Sequence, residues 1–458
     1  MSGEKPKAIA LIDGEHYIPV LKGAIEYVRE HYKEFELVAA VFLGGTEKIG
    51  TPEDVKKALD IPVVIGKGNP PIDDIVETAK KYGASIAIDM SDEPVVDYEK
   101  RFLIASALMA INVKYLGADF EFKPIEFHKV AKYPSLKCIG LGKRVGKTAI
   151  SMYTAYILKK MGRKPCVIKA ARGGPEKPTA LFGDRLELTP EFLLGEVEKG
   201  RHAASDYYEE ALMAKIVAVG ARRCGGGMVG KPFYSTEVEA VEYANTLPID
   251  FIIVEGSGTT VPAVYTDATE LVVSALTPPE HVSSFFGPYR VKISDLIVIT
   301  MAEEYNKPKV EKLEKLIKEL NPNAMISEVV LRPKVLGDIR GKKIVYASVA
   351  PPEALEKAII PYIEEKYGAK VVGYTRWLSN RPKLREDLER LLPKADVLVT
   401  ELKAAAVDVA TRMAVNMGKE VVYVWNIPVT TGGMNIDEAI KKLVELAIKR
   451  FEEAQSKG

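Results

Sequence analysis

Residues 137–150 read Lys-Cys-Ile-Gly-Leu-Gly-Lys-Arg-Val-Gly-Lys-Thr-Ala-Ile. The pattern predicts a short strand, a glycine-rich turn and a helix that begins at Gly146-Lys147-Thr148. Glycines let the backbone approach a polyphosphate closely, and the N–H groups of the turn and the helix N-terminus carry partial positive charge. The stretch therefore predicts a phosphate-binding loop, in which Lys147 reaches the terminal phosphates and the Thr148 hydroxyl ligates Mg²⁺.

The loop departs from the usual spacing, which would place a glycine at the position of Leu141. Glycines flank that position instead, and two cations, Lys143 and Arg144, follow. An ordinary helix start with a lysine in its first turn is the alternative, but the preceding strand and the local glycines favour nucleotide binding. The residues expected to contact the nucleotide are Gly140, Gly142, Val145, Gly146, Lys147, Thr148 and Ala149.

Bulk composition excludes several classes of protein. The chain has 458 residues, and its 64 Lys and Arg almost balance its 63 Asp and Glu, so no global charge favours nucleic acid or an anionic membrane. No apolar run approaches membrane-spanning length. The three cysteines form no CxxC pair, which suggests neither a disulfide framework nor a zinc site and indicates a reducing cytoplasm. The abundant Glu and Lys, with a single glutamine, resemble a protein from a hot environment.

The spacing of apolar segments predicts a multidomain α/β protein. Strands and helices alternate over residues 1–130 and predict an N-terminal Rossmann-like domain with a small parallel sheet. Residues 131–335 are predicted to form a central P-loop ATP-binding catalytic domain, with a parallel sheet flanked by helices. A C-terminal α/β domain or extension is predicted over 336–458. We predict strands at Pro165 to Lys169 and at Glu420 to Trp425, and one amphipathic helix after Asp437.

A carboxylate at the end of a second apolar strand supports the nucleotide site. The run Ile252-Ile-Val-Glu255-Gly256 places Glu255 where nucleotide enzymes hold an acid that binds Mg²⁺ directly or through water. An acid that caps the next turn is the alternative. We therefore expect Thr148 and Glu255 at the metal, and Lys147, Lys143, Arg144 and Glu255 as the catalytic residues.

Basic clusters beside glycine runs are candidates for binding an acidic substrate. Lys169 and Arg172 precede Gly173-Gly174, at the end of a strand expected to neighbour the loop strand, and Arg222-Arg223 precede Cys224-Gly-Gly-Gly. Each cluster alone could be a solvated turn. The set expected at the substrate is Lys169, Arg172, His202, Asp206, Arg222 and Arg223. A histidine at a helix start is as often a cap, and Lys403 is either an anion ligand or a solvated helix-start lysine.

These motifs resemble one branch of the P-loop superfamily. Gly140–Thr148 is similar to the GTDTxVGKT loop of dethiobiotin synthetases, and Val254-Glu-Gly-Ser-Gly258 resembles their VEGAG turn. The GxGKRxGKT loop and the Arg222-Arg-Cys-Gly-Gly-Gly227 run, with the order and length of the flanking regions, are similar to the archaeal cyclic 2,3-diphosphoglycerate synthetases. The resemblance implies an ATP- and Mg²⁺-dependent ligase that joins the two phosphates of 2,3-diphosphoglycerate.

Other functions remain open at this stage. A P-loop kinase or ligase for another anionic metabolite, or a nucleotide-binding regulatory NTPase, would carry the same loop. ATP and GTP are not distinguished, although no NKxD motif is clear. We expect a cytoplasmic homo-oligomer, a dimer, that binds a small anionic substrate and neither nucleic acid nor membrane. Acids in the N-terminal domain, such as Asp13 and Asp89, are unexplained, and that domain could be a lid, a dimerisation unit or a relic site.

Overall fold

The computed structural model describes residues 4–456. Residues 1–3 and 457–458, at the ends of the first and third predicted domains, lie outside the described residues. The chain forms two compact units. The first contains the chain up to Glu126, Pro278–Ile293 and Lys315–Pro322; the second contains Phe127–Thr277, Ser294–Glu314 and the chain from Asn323 onwards.

Strands and helices alternate along most of the described chain. The strands are β1 (Lys7–Ile12), β2 (Glu36–Phe42), β3 (Val63–Ile65), β4 (Ala84–Asp89), β5 (Lys114–Leu116), β6 (Glu121–Phe122), β7 (Ser135–Gly140), β8 (Pro165–Ala171), β9 (Thr179–Phe182), β10 (Val217–Cys224), β11 (Tyr234–Ser235), β12 (Phe251–Glu255), β13 (Ala268–Ser274), β14 (Leu296–Thr300), β15 (Met325–Val335), β16 (Lys343–Ala347), β17 (Lys370–Thr375), β18 (Val397–Glu401) and β19 (Glu420–Gly433). The helices are α1 (Ile18–His31), α2 (Pro52–Ala58), α3 (Ile72–Tyr82), α4 (Tyr98–Ala110), α5 (Lys147–Lys160), α6 (Pro190–Glu198), α7 (Asp206–Ala214), α8 (Glu237–Ala244), α9 (Glu280–Ser283), α10 (Gly287–Lys292), α11 (Lys307–Leu320), α12 (Pro352–Ala354), α13 (Ile360–Tyr367), α14 (Arg381–Leu391), α15 (Arg412–Asn416) and α16 (Ile436–Ser456). Two π-helical turns, Leu355–Ile359 and Ala406–Thr411, extend this set.

The first unit contains the Rossmann-like sheet that the sequence predicts. Its strand order is β3-β2-β1-β4-β5-β6, with parallel pairing except between β5 and β6. Asp13 follows β1 and accepts hydrogen bonds from its neighbour His16 at 2.7 Å and from the backbone N–H of Asp92 at 2.5 Å. Asp89 accepts bonds from Arg101 Nε at 2.7 Å and the Tyr115 hydroxyl at 2.8 Å. Internal partners therefore hold the two acids at these strand ends.

The second unit contains a P-loop sheet with strand order β11-β10-β8-β12-β7-β13-β14-β15. In this order, the six neighbouring strands β8-β12-β7-β13-β14-β15 are parallel. β7, β12, β13 and β14 are buried along their whole length. Parallel strands covered by helices on both faces read as nearly continuous apolar runs, as β12 and β14 do. The α/β fold class predicted from the sequence is confirmed.

The C-terminal strands join this sheet through one antiparallel pair, β15 with β19. β15 continues past its last pairing with β14, at Glu328, for about 20 Å of strand to Val335. β19 pairs with β18, β18 with β16, and β16 with β17, all in parallel. Because β19 is antiparallel to β15, these four strands run opposite to the P-loop strands. The carboxyl end of β18 therefore points back towards the carboxyl edge that carries the phosphate loop.

The helix predicted after Asp437 is α16, and it belongs to the core beside the phosphate loop. Its buried side chains, among them Leu443 and Ala447, pack in one cluster with Leu136 of β7 and Val272 of β13. Arg450 donates to the backbone oxygen of Asp267 at 3.0 Å and forms an ion pair with Asp295.

Two predictions about strands in the second unit are wrong, and one strand is not predicted. The unpredicted strand is β10, residues 217–224, and Arg222 and Arg223 lie near its end. β8 is separated from the loop strand β7 by β12 and does not neighbour it. β19 continues well past Trp425, to Gly433, because it pairs with the long strand β15.

Candidate active site

The phosphate loop forms where β7 ends and α5 begins. Gly146 has a φ of +92°, a conformation that favours glycine. Lys147 folds back over the loop and donates from Nζ to the backbone oxygen of Gly142 at 3.1 Å. A Cβ at Gly140 would lie 2.8 Å from Lys147 Cδ, so a glycine here makes room for the lysine. Burial lowers the pKa of Lys147 to about 8.

The loop is braced from the neighbouring strands. The Thr300 hydroxyl, at the end of β14, donates to the backbone oxygen of Val145 at 2.7 Å. A Cβ at Gly146 would meet the side chains of Thr300 at 3.2 Å and Leu331, of β15, at 3.3 Å. The backbone of the loop therefore rests on side chains of the two strands that lead to the C-terminal region.

Strand register brings Thr148, Lys169 and Glu255 together. Glu255 ends β12 and pairs with Lys169 of β8 on one side and Cys138 of β7 on the other. The Thr148 hydroxyl donates to Glu255 Oε1 at 3.1 Å, and Lys169 forms an ion pair with the same carboxylate. Lys169 also pairs with Asp206, the first residue of α7, at 3.1 Å.

The charges in this cluster depend on each other because Lys169 and Glu255 are buried and Asp206 lies in direct contact with Lys169. Burial alone would lower the pKa of Lys169, but the carboxylates of Asp206 and Glu255 outweigh it and raise that pKa. Burial likewise opposes ionisation of Asp206, yet the charges of Lys169 and Lys403 lower its pKa. The arrangement keeps Lys169 and Asp206 charged at the edge of the sheet.

Arg172 and Arg223 meet at the glycine turn that follows Glu255. Arg223 donates to the backbone oxygens of Gly225 at 3.0 Å and Ser257 at 2.7 Å, and burial with the neighbouring Arg172 lowers its pKa. A Cβ at Gly258 would lie 3.4 Å from Arg172 Nη2 and 3.7 Å from Arg223 Nη2. Both guanidiniums therefore approach the backbone of this turn.

Other predicted substrate residues lie apart from that turn. Arg222 donates to the backbone oxygen of Pro175 at 2.8 Å, and successive side chains of a strand point to opposite faces, so it does not join Arg223. His202 is exposed and lines a cleft of about 260 Å³ with Val407 and Asp408, whereas Asp206 contacts Lys169.

The two cations of the variant loop have different surroundings. Lys143 is exposed. Arg144 has a φ of +64° and donates to the Ser379 hydroxyl at 2.9 Å. Ser379 follows β17, so a loop of the C-terminal strands contacts the phosphate loop directly.

Comparison with known proteins decides the family. Family models of cyclic 2,3-diphosphoglycerate synthetase match residues 7–123 (N-terminal domain), 135–330 (P-loop domain) and 335–427 (C-terminal domain). The chain is 48% identical over 457 residues to the cyclic 2,3-diphosphoglycerate synthetase of Methanothermus fervidus, covering 98% of this chain and 99% of that protein. The chain belongs to the cyclic 2,3-diphosphoglycerate synthetase family.

More distant matches agree with this membership. The synthetase of Methanothermobacter thermautotrophicus is 45% identical, over 97% of both chains, and that of Thermococcus sibiricus is 44% identical, over 95% of this chain and 98% of the relative. A solved structure of LpxK from Aquifex aeolicus in complex with ATP covers 77% of this chain and 96% of its own, at 13% identity. The TM-score of that match is 0.42.

The synthetase site fits a hydrated Mg²⁺ held by few protein ligands. Oε2 of Glu255 is buried and receives no hydrogen bond from an N–H or hydroxyl group among residues 4–456, and the carboxyl of Glu210 lies beside Glu255. Over the same residues, no group of three or more His, Cys, Asp or Glu side chains is placed to hold a metal ion. One hydroxyl, one carboxylate, nucleotide phosphates and water match the way Mg²⁺ is usually bound in nucleotide enzymes.

Sequence reasoning missed the acidic face of α7 and undervalued Lys403. Glu209 and Glu210 follow Asp206 at helical spacing, which places all three near one face and is a signal the sequence contains. Burial raises the pKa of Glu209 to about 8, and burial with the nearby Glu255 raises that of Glu210 well above its usual range. Lys403 lies 3.8 Å from Glu209 Oε1.

Two further observations concern the helices and the cysteines of this synthetase. In the described part of the chain, no helix has both the length and the apolar character needed to cross a membrane. Cys138 and Cys166 are buried, Cys224 is exposed, and all three are free thiols.

Proposed function

We propose that this enzyme uses ATP to close 2,3-diphosphoglycerate into cyclic 2,3-diphosphoglycerate, with release of ADP and phosphate. One observation carries the proposal. Lys147, Thr148, Lys169 and Glu255 meet at one sheet edge in a chain that matches all three domains of the synthetase family.

The chemistry needs two displacements at phosphorus. In the first, an oxygen of one substrate phosphate attacks the γ-phosphorus of ATP, the bond from that phosphorus to the β-phosphate oxygen breaks, and ADP leaves. In the second, an oxygen of the other substrate phosphate attacks the phosphorus of the activated phosphate. The ring closes through a P–O–P bond, and the terminal group leaves as phosphate. No protein nucleophile takes part in either step.

The main task of the protein is therefore to offset charge repulsion. Two unit negative charges 4 Å apart repel by about 4 kcal/mol at an effective dielectric constant of about 20, and the reacting phosphates carry several such charges. Lys147 reaches the nucleotide phosphates from the loop, while Lys169 and Arg172 lie at the carboxyl end of β8. Fixed cations at these positions stabilise the transferring group without reorganising.

Lys143, Arg144, Arg222 and Arg223 complete the proposed set, together with His202 and Asp206. Arg223 holds the turn after Glu255, and Arg144 and Lys143 add positive charge to the phosphate loop. Arg222 and His202 are also proposed to contact the substrate. Mg²⁺ bound by Thr148 and Glu255 would neutralise charge on the nucleotide phosphates.

Phosphorus NMR tests the proposal. The protein is incubated hot with ATP, Mg²⁺ and 2,3-diphosphoglycerate, and anhydride resonances of a cyclic product should appear as ADP accumulates. Lys147→Ala should abolish both signals, whereas the matched control Lys160→Ala, exposed in the last turn of the same helix, should leave them unchanged. ADP release without the new anhydride resonances of the cyclic product would refute the proposal. ATP turnover stimulated by another anionic metabolite would favour a kinase or ligase instead, and slow turnover indifferent to metabolites a regulatory NTPase.

We also propose that the enzyme is a cytoplasmic homodimer. The free thiols favour a reducing compartment. Light scattering on the purified protein, as it elutes from a sizing column, measures its molar mass. The mass of two chains is expected, and the mass of one chain would refute the dimer.

A further inference from the structure

The antiparallel junction of β15 and β19 gives the site a second wall. Because β18 runs opposite to the P-loop strands, the residues that follow its carboxyl end enter the space in front of the phosphate loop. Lys403 is two residues beyond Glu401, the last residue of β18. Its side chain is 25% exposed and lies at the acidic face of α7.

The ammonium of Lys403 has donor capacity to spare. Its ion pair with Glu209 is long, 3.8 Å, and within residues 4–456 Lys403 Nζ makes no hydrogen bond. The carboxylate of Glu401 accepts hydrogen bonds from the backbone N–H of Val349 at 3.0 Å and from Asn426 Nδ2 at 2.8 Å, and it accepts none from Lys403. A lysine ammonium offers three donors. Lys403 thus has fewer direct partners than Lys169, which forms ion pairs with two carboxylates.

We propose that Lys403 binds a phosphate group of the acidic substrate from the wall opposite the phosphate loop. The inference rests on the proposed function and names one substrate ligand for it. Lys147 and the loop amides serve the nucleotide, so a cation on the facing wall is placed for the second reactant. The pKa of Lys403 supports this: burial opposes its charge, but Glu209, Glu401 and Asp206 outweigh burial and raise that pKa, so the ammonium stays charged near neutral pH.

Four variants test the role of Lys403: Lys403→Met, Glu209→Gln, the double variant, and Lys370→Met. Lys370 is the matched control, since it is exposed at the amino end of β17, away from the carboxyl edge. Initial rates of cyclic product formation give KM for 2,3-diphosphoglycerate and for ATP, and thermal unfolding gives stability. Lys403→Met should raise KM for 2,3-diphosphoglycerate on the order of 10- to 100-fold, as for loss of one charged hydrogen bond, with KM for ATP unchanged.

The double variant separates binding from structure. It removes both sides of the Lys403–Glu209 contact, so any effect of leaving Glu209 without its partner disappears, and it should keep the raised KM. A wild-type KM in Lys403→Met, or its recovery in the double variant, would overturn the inference and make Lys403 only a partner of Glu209. If the wild-type enzyme forms no cyclic product in the same assays, the proposed function itself fails.

Discussion

Replacing Glu270 by glutamine should change the pH dependence of stability. Glu270 lies in β13, fully buried beside the loop strand; the Thr154 hydroxyl of α5 donates to its carboxylate, at 3.2 and 3.3 Å, and so does the Cys138 thiol. Burial raises its pKa from 4.5 to about 7. Between these values the folded protein holds a proton that the unfolded chain has lost, so the free energy of unfolding falls as pH rises.

The size of the effect follows from that shift. About 2.5 pH units at about 1.36 kcal/mol each give roughly 3 kcal/mol, fully present below about pH 4.5 and lost above about pH 7. Glutamine keeps the shape and cannot ionise. The unfolding free energy of Glu270→Gln minus that of the wild type should therefore rise by about 3 kcal/mol between pH 4.5 and pH 8.

Denaturant unfolding followed by tryptophan fluorescence measures this difference. Both tryptophans, Trp377 and Trp425, lie in the unit that contains Glu270, so the signal reports on the relevant fold. Glu452→Gln, an exposed glutamate of α16, is the control for loss of one carboxyl. A difference between Glu270→Gln and wild type that stays constant from pH 4.5 to pH 8 would refute the reasoning.

Two further substitutions test the loop and the buried ion pair. Gly140→Ala places a Cβ against the flexible Lys147 side chain and displaces it. The midpoint of thermal unfolding should stay unchanged, while ATP turnover should fall on the order of 100-fold; wild-type turnover would contradict this. Lys169→Met leaves Glu255 buried without its cation and should cost about 3–5 kcal/mol of unfolding free energy. Adding Glu255→Gln should recover most of that loss in fluorescence-monitored unfolding, and additive losses would contradict the pairing.

The parts of the site that local sequence controls were predictable. The loop at Gly140 to Thr148 and the acid at Glu255 follow from a strand, a glycine turn and a helix start, and the structure brings Thr148 and Glu255 within 3.1 Å. The acids of α7 share one helix face and could have been found in the same way. Their effect on the site depends on burial, which spacing alone does not reveal.

Tertiary packing explains what the sequence did not reveal. Gly220 breaks the strand pattern of β10, and the structure needs it because a Cβ there would lie 2.9 Å from the Tyr207 ring. Pro428 likewise argues against a strand past Trp425, yet it pairs with Leu331 in the β15–β19 junction. Lys403 gains its place only through this junction, so no local pattern could separate an anion ligand from a solvated lysine.

The packing of α16 also constrains how the protein is made. The helix lies far downstream of the phosphate loop, yet it covers the strand that feeds that loop and pins Asp267 and Asp295 through Arg450. On the ribosome, the catalytic core therefore stays open on one face until α16 has emerged, although domains usually fold in order of synthesis. A chain interrupted before α16 would carry the whole nucleotide motif without the core that holds it in shape.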